Sequence, residues 1–75
     1  MKSEQDELIK NEVLLILERN LGSVTASAYR KFYVEQDINT VLSSGAELLL
    51  ELLGEKKQIE IFEPLLQKYN VKMNL

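Results

Sequence analysis

Two blocks rich in leucine and isoleucine, at residues 14–17 and 48–53, limit what this chain can fold into. Both blocks lie in segments whose other residues are typical of helices. A helix that rests on one neighbour needs only an apolar stripe, whereas these blocks are apolar around most of the helix circumference. Such helices must be covered on several sides, and a short chain has few helices to cover them. The blocks therefore predict self-association or a protein partner.

Composition limits the chain to one small domain and excludes several chemistries. Its 75 residues are near the smallest size at which a core suffices without disulfides or metal. There is no cysteine and no histidine, which excludes thiolate or imidazole metal sites, a Ser-His-Asp triad and a Cys-His pair. The net charge of −3 disfavours a general nucleic-acid surface. We expect a non-enzymatic protein with no cofactor, no metal and no evident small-molecule substrate.

The same survey predicts where the protein resides. No uncharged run is long enough to span a bilayer. Residues 1–7 are acidic and lack the basic and apolar regions of a signal peptide. The sequence therefore predicts a cytoplasmic protein that does not enter the membrane.

Apolar periodicity predicts the first three helices. They cover about 4–21, 25–35 and 40–53, with Gly22 and Gly54 as the residues that end the first and third. We expect short connections between them.

Short polar side chains mark the expected helix starts. Ser3 is a candidate N-cap for the first helix. Ser23 and Thr25 are candidates for the second, and Asp37 and Asn39 are candidates for the third. Gly45 lies inside the third helix, where glycine costs roughly 1 kcal/mol relative to alanine. It predicts a close backbone crossing or a break.

The last segment has two interpretations. Residues 58–61 alternate like a strand, but apolar side chains recur at helical spacing from Ile59 to Tyr69, and the longer window favours helix. Pro64 removes a backbone donor, so the fourth helix is expected to kink or begin there. Asn70 is the candidate stop.

Together these elements predict the architecture. We expect an all-α fold, a compact bundle of four short helices in an orthogonal or antiparallel arrangement. A single domain covers 1–75, and 71–75 is expected to be a frayed tail.

The second predicted helix contains the one cluster that mixes aromatic and basic side chains. Aromatic residues and arginine carry much of the energy of protein interfaces. We select Tyr29, Arg30 and Tyr33 as candidate partner-binding residues, with Phe32 turned inward. The competing interpretation puts the aromatic side chains in the core and leaves Arg30 and Lys31 in solvent.

The third predicted helix carries Glu47 and Glu51 one turn apart. Paired carboxylates can bind metal or transfer protons, but no histidine is present to complete a di-metal helix motif. The plain interpretation is a solvated stripe on a helix that buries Leu49 and Leu52.

One alternative comes from a family resemblance. Ser44 precedes an acidic, leucine-rich helix at a distance from the first helix that resembles the acyl carrier proteins. In that family a serine in an Asp-Ser-Leu triplet opens such a helix and carries a phosphopantetheine arm. The resemblance implies a carrier protein modified at Ser44. Here the triplet is replaced by Ser43-Ser44-Gly45, and a second predicted helix occupies the family's long loop.

A second alternative is a small DNA-binding regulator. The first two predicted helices and their Gly22 turn can form part of a helix-turn-helix. The third predicted helix has no lysine or arginine, and the second has two, so nucleic acid is disfavoured. The preferred function is a helical interaction or regulatory module, a homodimer or a binder of another protein, that uses surplus apolar surface of the first and third helices.

Overall fold

A computed structural model describes residues 4–71 and contains four α-helices. Within that range no strand occurs, which confirms the all-α class and makes the strand interpretation of 58–61 wrong. The candidate cap Ser3 and the tail residues 72–75 lie outside the described residues. The helices are α1 (Glu4–Leu21), α2 (Ser23–Tyr33), α3 (Ile38–Leu53) and α4 (Glu55–Lys68).

Pro64 lies inside α4 and does not start it, so the prediction of a helix beginning there is wrong. Proline lacks the N–H that would bond to the carbonyl of Glu60, which removes one helical hydrogen bond. Phe62 and Leu65, on either side of it, are both buried in the core. Their packing holds the helix together across the proline.

Two glycines end one helix and begin the next. Gly22 and Gly54 have φ of 96° and 92°, in the region that favours glycine. Gly22 occupies the N-cap position of α2 without any side-chain cap, so Ser23 and Thr25 do not cap this helix as predicted. Asp37 does cap α3, because its Oδ1 accepts a 2.7 Å hydrogen bond from the N–H of Thr40.

The end of α4 is closed by a left-handed residue. Asn70 has φ of 53°, and its N–H donates to the Gln67 carbonyl at 3.2 Å. The N–H of Val71 donates to the Leu66 carbonyl at 2.9 Å, which completes a Schellman motif. Asn70 is therefore the predicted stop, whereas Val71 packs against the core and is not part of a frayed tail.

The core lies where α1 packs on α2 and α3, and α4 packs mainly on α3. Tyr33 and Phe62 are its largest fully buried side chains. The buried apolar residues are Ile9, Val13, Leu14 and Leu17 of α1, Ala26 and Tyr33 of α2, Val41, Leu42, Ala46 and Leu49 of α3, and Phe62 and Leu65 of α4.

The fold covers each leucine-rich block only in part. In the first block Leu14 and Leu17 are buried, but Leu15 is 47% exposed. In the second block Leu49 is buried, whereas Leu52 is 57% exposed, so the prediction that Leu52 is buried is wrong. Leu52 lies in the last turn of α3, and it is exposed although its helical angle is close to that of the buried residues and Leu53 after it packs against the core.

Gly45 marks a close helix crossing and not a break. A Cβ atom added to it would lie 3.0 Å from Val13 Cγ1 and 3.3 Å from Phe62 Cζ. Both neighbours are fully buried and have little room to move. The missing side chain lets α3 approach α1 and α4 at one point.

We expect Gly45→Ala to lower the free energy of unfolding by about 1–3 kcal/mol, as overpacked cores do. In an exposed helix the same change would stabilise by roughly 1 kcal/mol, so the sign of the effect reports the packing. Urea denaturation measures it, with Ser43→Ala on the same helix as the control. A more stable Gly45→Ala protein would show that Val13 and Phe62 yield easily.

We expect Leu49→Ala to cost about 2–5 kcal/mol, the usual range for a buried leucine. Leu52→Ala should cost less than about 1 kcal/mol because most of its side chain already faces water. Urea denaturation of the two variants side by side tests this. If both variants lost the same free energy of unfolding, the assignment of Leu49 to the buried face and of Leu52 to the exposed surface would be wrong.

Candidate functional site

An open hollow of about 240 Å³ lies between α1 and α4 and is called here the α1–α4 groove. Each helix contributes four residues at the spacing i, i+3, i+4, i+7, which puts them on one helical face. The groove stays open because α4 packs mainly on α3 and meets α1 less extensively. It is lined by Glu12, Leu15, Ile16 and Arg19 of α1 and by Ile61, Pro64, Leu65 and Lys68 of α4.

The lining of the α1–α4 groove is part apolar and part charged. Its apolar residues, called here the floor, are Leu15, Ile16, Ile61, Pro64 and Leu65, of which Leu15 and Pro64 are exposed. Its charged residues, called here the rim, are Glu12, Arg19 and Lys68. The volume is below the ~300–1,000 Å³ typical of small-molecule pockets. A shallow surface that combines apolar side chains with charged ones is common in protein interfaces. The groove therefore suits a protruding side chain from another protein better than an enclosed ligand.

One end of the groove is closed by contacts between the two helices. Lys68 Nζ donates to Glu12 Oε1 at 2.9 Å, and Gln5 Nε2 donates to the Tyr69 carbonyl at 3.0 Å. The hydrogen bond from Lys68, aided by the Tyr69 side chain, holds the pKa of the Glu12 carboxyl below its ordinary value. Glu12 binds Lys68 as the ionised carboxylate. Protonation of Glu12 therefore breaks this ion pair as the pH falls through the lowered pKa of Glu12.

Of the predicted partner-binding residues, Tyr33 belongs to the core. Its side chain is 1% exposed, and its hydroxyl donates to Ser44 Oγ at 3.1 Å. Burial raises the pKa of the Tyr33 phenol, and the hydrogen bond to Ser44 partly opposes that shift. Tyr33 therefore contributes to stability and is not available at the surface of the chain.

The other two predicted residues lie nearer the surface. Tyr29 is half-buried and Arg30 is exposed. The expectation that Phe32 turns inward is wrong, since it is 46% exposed and contacts Tyr29 edge to face. Ala26 and Tyr33 form the buried stripe of α2, and Phe32 lies at the edge of that stripe.

Ser44, the residue of the carrier alternative, lies inside α3 and not at its start. It is half-buried, and its oxygen accepts the hydrogen bond from Tyr33. The resemblance to acyl carrier proteins requires a serine that opens a helix and projects into solvent. This geometry counts against a phosphopantetheine arm at Ser44.

Metal and membrane sites find no support in residues 4–71. No group of three or more acidic side chains in that range is placed to hold a metal ion. Glu47 and Glu51 are both exposed on α3. None of the described helices is long and apolar enough to cross a membrane.

Comparison with known proteins leaves the site to be interpreted from its own chemistry. No protein family, no curated protein and no solved structure matches this chain. The groove residues were not singled out from the sequence. Residues 12–19 of α1 and 61–68 of α4 share the same helical spacing, which is the one sequence pattern that could have indicated the groove. No pattern within either segment indicates that these two helical faces lie next to each other.

We expect Tyr33→Ala to lower the free energy of unfolding by about 3–5 kcal/mol, because it empties a large buried volume. Tyr33→Phe should cost about 1 kcal/mol for the lost hydrogen bond. Adding Ser44→Ala to Tyr33→Phe should then change little if the two hydroxyls act as a pair. Urea denaturation measures all three. An unchanged free energy of unfolding for Tyr33→Ala would contradict the assignment of Tyr33 to the core.

Proposed function

We propose that this protein is a small helical interaction module that self-associates through the α1–α4 groove. The observation that carries the proposal is the groove itself, in which an apolar floor remains open to solvent. Leu15 supplies much of that open surface, although it sits within a block whose other residues are largely covered. Leaving such side chains in water forgoes about 25 cal/mol per Å² of apolar surface, which docking recovers.

A second exposed leucine lies on α1 beyond the end of the groove that Glu12 and Lys68 close. Leu8 is seven residues before Leu15, on nearly the same helical face. Asn11 and Glu12 lie between them, so the two leucines are separate apolar contacts two turns apart and not a continuous stripe. Contacts spaced in this way suit a partner that extends along α1, such as a helix.

The charged residues of the groove support binding rather than catalysis. The ion pair between Glu12 and Lys68, at 2.9 Å, lowers the pKa of Glu12 and raises the pKa of Lys68, which moves both away from the near-neutral range that suits proton transfer. The Arg19 side chain is exposed. These groups suit a polar rim that orients a partner.

A second contact surface on α2 is supported by its exposed side chains. Phe32 and Val24 both face solvent, and Arg30 lies beside the half-buried Tyr29. We propose that Phe32, together with the exposed edge of Tyr29 that it contacts, binds a protein partner while the groove serves self-association. This keeps Tyr29 of the residues that the sequence indicated and adds Phe32, whereas Arg30 lies about 160° from Phe32 around the helix axis, across the buried stripe.

We expect Leu15→Asp to abolish self-association while leaving the fold intact, because it places a charge on the open groove floor. Sedimentation equilibrium at tens of micromolar should show a dimer or larger species for the unmodified chain and a monomer for the variant. Val24→Asp is the matched control, since Val24 is 84% exposed and lies outside the groove. Circular dichroism verifies that both variants remain helical.

Two outcomes would count against the proposal. A chain that stays monomeric at every concentration would contradict self-association. A Leu15→Asp protein that associates as well as the Val24→Asp control would place the interface elsewhere.

A further inference from the structure

The α1–α4 groove is basic within an acidic chain. Of its three charged residues, Lys68 and Glu12 form an ion pair, which leaves the guanidinium of Arg19 as the excess positive charge of the groove. No carboxylate of residues 4–71 lies within 4.0 Å of the Arg19 guanidinium. Lys57 adds an exposed cation one turn before Ile61 on the same face of α4. The groove therefore attracts an acidic surface although the chain as a whole carries −3.

The outer face of α3 has the complementary character. Leu50 is 45% exposed on a flank of α3, about 100° around the helix axis from the centre of the buried stripe. Glu47 and Glu51 lie beside it on the outer side of the helix, and both are exposed. Among the helices described in residues 4–71, α3 alone contains neither lysine nor arginine. The outer face of α3 is therefore an exposed leucine next to two carboxylates, with no cation on the same helix.

The other exposed apolar residues fit the groove less well. Phe32 and Val34 lie within one turn of Lys31, and Lys56 lies one turn before Ile59, so each has a cation of the same sign as Arg19 close to it. Val24 has no acidic residue within four positions, and Leu8 lies on the face of α1 that itself lines the groove. The absence of any cation from α3 thus favours its outer face by charge complementarity.

We infer that the occupant of the α1–α4 groove is the outer face of α3 from a second copy of this chain. Leu50 enters the apolar floor, and Glu47 and Glu51 meet the cations of the rim, Arg19 foremost. This inference rests on the proposed self-association and specifies its geometry. The contact joins two different surfaces, so copies add head to tail unless the rotation between them closes a ring.

A charge-reversal experiment on the full chain tests this pairing. Arg19→Glu and Glu51→Lys each replace an attraction with a repulsion, and each should raise the dissociation constant on the order of tenfold at low salt. An equimolar mixture of the two variants should associate again, because each reversed surface then finds a matching one. The double variant, which carries both changes in one chain, should also recover association.

Matched controls separate this pairing from a general charge effect. Lys31→Glu and Glu35→Lys make the same charge changes at exposed positions that do not line the groove or the outer face of α3. They should leave the dissociation constant within about twofold of the unmodified chain, as expected for charges outside an interface. Sedimentation equilibrium reports association, and circular dichroism reports that each variant is folded.

The outcomes distinguish this inference from the proposed function. If the unmodified chain associates and Leu15→Asp prevents it, but the mixture of Arg19→Glu and Glu51→Lys stays dissociated, the groove is the interface and α3 is not its occupant. If the single reversals have no more effect than the controls, the pairing is likewise overturned. If the unmodified chain is monomeric throughout, both the self-association and the pairing fail.

Discussion

The close contact at Gly45 is the constraint on which the rest of this structure depends. The absence of a side chain lets Val13 of α1 and Phe62 of α4 approach the same point of α3. α3 is thereby in contact with both helices that form the groove. Because α4 is drawn onto α3, it meets α1 less extensively and leaves the α1–α4 groove open. The small residue that makes the core compact also sets where the surface remains open.

The two leucine-rich blocks are divided between buried and exposed positions. Leu14, Leu17 and Leu49 are buried, whereas Leu15 and Leu50 face outward on α1 and α3. Adjacent residues on a helix differ by about 100° in direction, so a continuous apolar run must serve two faces. One face packs the core, and the other faces solvent. The exposed face is the surface that the proposed self-association would cover.

Features encoded by neighbouring residues could be predicted, and features set by packing could not. The bounds of α1, the Asp37 cap and the stops at Gly54 and Asn70 depend on local backbone chemistry. The continuity of α4 through Pro64 depends on core contacts that no local pattern shows.

The site was harder to predict than the fold for the same reason. Tyr33 and Phe32 are adjacent and chemically alike, and their exposure is decided by how α2 rotates on the core. The Ser44 hydroxyl accepts a hydrogen bond from Tyr33, which is eleven residues away in sequence. The groove joins residues of α1 and α4 that are even farther apart. The charge of the groove could not be predicted from the sequence. Arg19 and Lys68 are far apart along a chain whose net charge is negative, and only the packing of α1 and α4 brings them to one groove.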